Sequence, residues 1–311
     1  MTNTLQEIAN ILTLNIYNTD SFGILDGKMG AMLFYYNYGR FTKNKFYTDI
    51  ADELFNSVYE SLNKTRNVSF DQGITGIAWG TRYLIRNKFV NGNPEDILFD
   101  IENILFKNYI NDFQTQIPLS TMGIYLQSLI EDNSDLEKVN GLIDALLLKY
   151  EYYFLCYPSV AHKPITYINS ILFLLSSLEK KENYRSRVER IIFKVLLYIY
   201  DLDNLHFNDK SDLKTLYNLL SSLNFTSDEK IAVLKEISNY NELYHIEEII
   251  RYLWQNIIYF PNEIIKLNLD DLKLFLNENY TFLPKENSLS LYNGLASIGL
   301  ALMKPANHID V

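Results

Sequence analysis

The feature that most constrains this chain is a phrase that recurs about every 46 residues. It reads GKMGAMLFYY from Gly27, GITGIAWGTRYL from Gly73 and STMGIYLQSL from Ser120. It continues with fading letters as TYINSILFLL from Thr166, DLKTLYNLLSSL from Asp212 and IEEIIRYLWQ from Ile246, and returns as GLASIGLALM from Gly294. Successive starts lie 46, 47, 46, 46, 34 and 48 residues apart. A fixed period in this range marks a repeat architecture, in which each unit buries its apolar face against its neighbours.

Each unit reads as two helices. After Gly27 and Gly30, the residues Met32, Leu33, Phe34, Tyr35 and Tyr36 are apolar nearly all round, the mark of a helix buried on every side. Gly39 is expected to end it as a left-handed cap. In the following NKFYTDIADELFNSVYESL, Phe46, Ile50, Leu54 and Val58 fall four apart and predict one apolar stripe. The second unit repeats the pattern. GIAWGTRYLI is its buried helix, and NGNPEDILFDIENILFKNYI opens with turn residues and Pro94, with Ile97, Ile101 and Ile104 as its stripe. Further amphipathic segments are DLEKVNGLIDALLLKYEYYF, YRSRVERIIFKVLLYIY and TSDEKIAVLKEISNY. Strand signals are nearly absent, because apolar residues follow a helical period throughout.

Buried helices alternating with amphipathic ones predict an all-α fold, an α/α toroid of seven helical hairpins in two concentric layers. The expected organisation is a single domain over residues 1–311. The chain offers seven inner helices but only six outer ones after them, so the N-terminal TLQEIANILTLNI is expected to be the seventh outer helix. The glycines have two readings. They allow helices crowded at a ring's centre to approach closely, or they leave bare helix N-termini whose N–H groups face a cavity and bind anionic groups.

Composition narrows the partners. A net charge of −10 argues against nucleic acid or an anionic membrane as the main partner. Cys156 is the only cysteine, so no disulfide forms within the chain and no cysteine-based zinc site can be built. The start lacks the basic region and apolar run of a signal peptide, and no stretch suits a membrane span. The expectation is a cytoplasmic protein without membrane insertion.

Three segments carry a family likeness. FGILDGKMGAMLFYYNYGRFTKNKFYTDIADELF, SFDQGITGIAWGTRYLIRNKFVNGN and SLYNGLASIGLALM resemble the first, second and last repeats of the lanthionine synthetase C-like (LanC-like) cyclases. The resemblance implies a seven-hairpin α/α toroid and a role in maturing ribosomally made peptides. Active members add cysteine thiols to dehydrated Ser or Thr residues, forming thioether rings. It also implies a zinc ion held by a cysteine before the fifth inner helix and by an adjacent cysteine and histidine at the sixth. Here Lys210 and Ser211 stand near the first position, and Tyr244 and His245 at the other two, with Ile246 in place of the family glycine. Zinc makes a thiol nucleophilic by holding it as thiolate. With both cysteines missing, no zinc and no other cofactor are expected. The family's proposed acid–base histidine at the fourth inner helix is matched by His162.

The candidate catalytic residues are therefore His162 and His245. The candidate substrate-binding residues are Trp79, Lys210, Asp212 and Tyr244, and no metal ligands are assigned. The expected partner is a peptide substrate or a peptide-modifying enzyme. Other readings stay open: an active cyclase with unconventional ligands, an α/α-barrel enzyme on carbohydrate, or an interaction protein without chemistry. Glu247 and Glu248 are the carboxylates the carbohydrate reading would look to, and Asp270–Asp271 reads as a charge pair at a helix start. No phosphate-loop, dinucleotide or nucleophile-elbow motif is present.

Overall fold

A computed structural model describes residues 1–62, 67–111, 119–132, 136–156, 163–200, 205–206, 210–280 and 289–307. The helices in chain order begin with α1 (Thr2–Asn15), α2 (Lys28–Thr42), α3 (Lys45–Ser61), α4 (Ile74–Arg86) and the short α5 (Pro94–Ile97). They continue with α6 (Phe99–Asn111), α7 (Leu119–Glu131), α8 (Leu136–Cys156), α9 (Ile165–Leu178) and α10 (Glu182–Tyr200). The last five are α11 (Lys210–Ser222), α12 (Asp228–Ile237), α13 (Ile246–Tyr259), α14 (Leu269–Tyr280) and α15 (Leu295–Asn307). Among the described residues the one strand pairing is parallel and two residues long, β1 (Lys163–Pro164) with β2 (Leu205–His206). The fold is all-α, with the alternation of buried and amphipathic helices that characterises an α/α toroid. The chain divides into two compact units, Met1–Ile101 with Tyr244–Val311, and Glu102–Leu243.

In the first unit α2 packs on α3, α4 and α15, and α13 packs on α14 and α15. The last inner helix thus meets the first. The N-terminal α1 packs on α15, the place the helix count assigned to it. Every residue from Met29 to Gly39 of α2 is buried. On α3 the buried stripe is Tyr47, Ile50, Ala51, Leu54 and Val58, whereas Phe46 is exposed. A strict four-residue step rotates about 40° per step around a helix of 3.6 residues per turn. Phe46 therefore sits about 120° from Val58, and Tyr47 takes its place. The next stripe shifts for a related reason. Asn93 caps α5 by accepting from the Glu95 N–H (3.2 Å), and the helix breaks at Leu98 before resuming as α6. Leu98, Ile101 and Leu105 are buried while Ile104 is exposed. Gly39 does not end α2. The left-handed residue is Lys43, at φ 55°.

In the second unit α7, α9 and α11 form a row, with α9 against both neighbours. The amphipathic α8 packs on α7, α10 packs on α8 and α9, and α12 packs on α10 and α11. Ile168, Ile171, Leu172, Leu174 and Leu175 of α9 are all buried, as its unbroken apolarity requires. The carboxylate of buried Glu179 accepts from the backbone N–H groups of Asn224 (2.8 Å) and Phe225 (2.5 Å), fixing the connection between α11 and α12.

Candidate functional site

Three inner helices of the first unit open from loops of one design. The first N–H of α2, on Lys28, donates to the Ser21 carbonyl (3.0 Å), and that of α4, on Ile74, to the Asn67 carbonyl (2.9 Å). At α15 the Ala296 N–H donates to the Leu289 carbonyl (3.2 Å). In each case the acceptor lies seven residues before the donor. The loops are also tied to one another. Leu25 N–H donates to the Asp71 carbonyl (3.1 Å), Tyr292 N–H to the Leu25 carbonyl (2.7 Å), and the Ser290 hydroxyl to the Ile24 carbonyl (3.0 Å).

The glycines make this approach possible. A Cβ on Gly76 would overlap the Phe70 carbonyl oxygen, and one on Gly30 would overlap the Ser290 hydroxyl and the Ile24 carbonyl. A Cβ on Gly73 would lie 2.6 Å from the Ser69 nitrogen and 2.7 Å from its carbonyl oxygen. Gly73 itself is extended, with φ −113°, so it supplies room and not a left-handed turn. Close approach is the reading the first unit supports. At α2 and α4 the first N–H group of the helix is already bonded to a loop carbonyl.

Two carboxylates stand in this strip, Asp26 just before Gly27 and Asp71 two residues before Gly73. Burial raises the pKa of Asp26, and the nearby charge of Asp71 adds to the rise. The Ser21 hydroxyl, donating at 2.9 Å, and the Gln72 side chain work against it. A half-buried carboxyl raised in this way exchanges a proton closer to neutrality than a free aspartate. Beside it the Lys28 ammonium lies 5.1 Å over the Phe22 ring. Sequence reasoning passed over both acids. The signal was available: an Asp one or two residues before the opening glycine, 45 residues apart in consecutive repeats.

His245 is the N-cap residue of α13, exposed and without a side-chain capping bond. Tyr244 beside it is 72% exposed, and its N–H donates to the Glu248 carboxylate at 3.4 Å. Trp79 lies mid-way along α4, buried, stacked on Tyr83 (5.7 Å between centroids) and edge-on to Phe70 (6.0 Å). In the second unit Asp212 is buried in the first turn of α11, next to half-exposed Lys210. The Asp212 carbonyl accepts from the Asn169 amide of α9 at 3.0 Å, while among the described residues the buried Asn169 Oδ1 has no partner. His162 lies outside the described residues. Cys156 is the last residue of the outer helix α8. Among the described residues no three His, Cys, Asp or Glu side chains are grouped to hold a metal ion, and no helix is long and apolar enough to cross a membrane.

Searches of curated proteins and of solved structures found no significant match. A family model for lanthionine synthetase C-like proteins matches residues 19–191, which is more than half of the chain and runs from the loop before α2 into α10. The chain belongs to the lanthionine synthetase C-like family.

Proposed function

We propose that this protein is a LanC-like scaffold that binds a ribosomally made peptide, or the enzyme that modifies it, in the cytoplasm, and that it does not activate thiols through zinc. The observation that carries this reading is the set of residues at the ligand positions implied by the family: Lys210 and Ser211 at the start of α11, and Tyr244 and His245 just before α13. Zinc sites are built from Cys, His and carboxylate ligands, three or four to the ion. Of the four residues at these positions, only His245 has a side chain of the type that holds zinc, and one imidazole does not make such a set. The family match ends at residue 191, before either of these helices begins. What remains are binding surfaces and one perturbed acid, Asp26, able to hold a proton beside a bound group.

The test uses the full chain and a synthetic peptide carrying one cysteine and one dehydroalanine. Ring closure leaves the peptide's mass unchanged but consumes its thiol, so iodoacetamide labelling reads the reaction directly. The expected result is peptide binding by fluorescence anisotropy with the thiol still fully labelled, with or without added zinc. Protein-dependent thiol loss that disappears in His245→Ala would overturn the zinc-free reading. Absence of binding to any cysteine–dehydroalanine peptide would overturn the peptide scaffold.

A further inference from the structure

The turns after α2 and α4 are built alike. Lys43 N–H donates to the Arg40 carbonyl (3.3 Å) and Asn44 N–H to that of Gly39 (3.1 Å). Lys88 N–H donates to the Ile85 carbonyl (2.9 Å) and Phe89 N–H to that of Leu84 (2.9 Å). This paired bonding ends a helix through one left-handed residue, which is usually glycine. Here it is lysine both times, Lys43 at φ 55° and Lys88 at φ 57°. Each pays a conformational cost that glycine avoids.

Both lysines line one recess of about 400 Å3, together with Arg40 and Lys45. The only carboxylate in its lining is Asp52, which already accepts from the Tyr36 hydroxyl at 2.6 Å. Lys45 is paired with Asp49. Arg40 is held in place: its guanidinium lies 3.5 Å over the Phe89 ring and donates to the carbonyls of Asn87 (2.7 Å) and Lys88 (3.1 Å). Arg40 thereby answers the carbonyl end of α4, so Lys88 is not needed there as a capping cation. Among the described residues neither Lys43 nor Lys88 makes an ion pair, and both are exposed. A chain of net charge −10 thus lines one recess with four cations, of which Lys45 is paired with Asp49, and with one already engaged acid, Asp52.

We propose that this recess binds the carboxylates of an acidic peptide segment. Strained residues kept in place point to function, and the strained residues here are the two unpaired cations. A nucleic acid fits the site less well, because Arg40 covers the Phe89 face on which a base would stack and the chain's net charge repels a long polyanion. Binding here needs nothing from the starts of α11 and α13, so it is independent of the metal question.

The probe is a short fluorescein-labelled peptide of alternating Asp and Glu, titrated with the full chain, beside its Asn/Gln counterpart. The acidic peptide should bind saturably at low salt and weaken as salt rises, and the neutral one should not bind. Lys43→Gly with Lys88→Gly should weaken binding by about tenfold or more, while Lys43→Arg retains it. Glycine suits both positions, so the double variant should melt at or above the parent temperature, which separates lost charge from lost fold. Unchanged affinity in the double variant, equal binding of the neutral peptide, or tighter binding of a single-stranded oligonucleotide of equal charge would each overturn the proposal.

Discussion

The two units use the same helical hairpin but bring their inner helices together by different means. Ten of the chain's twelve glycines lie in the first unit, and the second has only Gly123 and Gly141. In the first unit, loops bond backbone to backbone, and Gly30 and Gly76 admit a neighbouring loop where any side chain would collide. In the second, α9 and α11 pack together without a glycine, their buried residues are mostly leucine and isoleucine, and the Asn169 amide donates to the Asp212 carbonyl. Gly123 of α7 is the exception, its Cβ position 2.9 Å from the Ser170 carbonyl. The lettering of the repeat therefore records backbone contact, and its period records helix length. A repeat can lose the first and keep the second.

The sharpest break of this contrast is Gly76→Val. Its side chain must displace the backbone at Phe70, and a loss of about 3 kcal/mol is expected in chemical denaturation. An unchanged unfolding midpoint would mean that the loop contact is not a constraint. Ser290→Ala should cost about 1 kcal/mol, since it removes a buried hydroxyl bonded to the Ile24 carbonyl. A neutral result would place the strength of the loop strip in its backbone bonds alone. In the second unit the sign reverses. Gly141 is exposed within α8 and has open space around its Cβ position, so Gly141→Ala should stabilise by about 0.5–1 kcal/mol. Destabilisation there would show a close contact that the contrast denies.

The smallest effect is pH-dependent. The folded pKa of Asp26 is raised, chiefly by burial, so the folded state holds this proton more tightly than the unfolded chain. Its favourable contribution is complete below the unfolded pKa and is lost as pH rises through the folded one. Asp26→Asn should accordingly raise the thermal midpoint slightly at pH 7, with the gain vanishing as the pH falls through the carboxylate range. A gain that grows in acid would reverse the assigned cause.

Much of this was legible in the sequence. The phrases starting at Gly27, Gly73, Thr166, Asp212, Ile246 and Gly294 fall within two residues of the starts of α2, α4, α9, α11, α13 and α15. Unbroken apolarity has one meaning in a chain with helical period, so the inner layer could be read directly. Ile50, Leu54 and Val58 of α3 and Ile101 of α6 are buried as expected, while Phe46 yields to Tyr47 because a step of four overshoots the helical turn, and Ile97 and Ile104 yield to Leu98 and Leu105 because the break at Leu98 resets the register. Lys43 and Lys88 escaped notice because a left-handed cap is sought at glycine. The loop strip was out of reach for another reason. The Ser290 hydroxyl and the Ile24 carbonyl it bonds are 266 residues apart, and no periodicity links them. Asp26 and Asp71 were readable in the aligned repeats, as acids one and two residues before the opening glycine.

On the function proposed above, this LanC-like chain holds no zinc. The most direct measurement is the zinc content of the full chain, purified without chelator, for the parent and for His245→Ala. Far less than one equivalent in both proteins is the predicted result. Near-stoichiometric zinc in the parent, lost in His245→Ala, would contradict it and restore a metal-dependent cyclase with ligands other than cysteine.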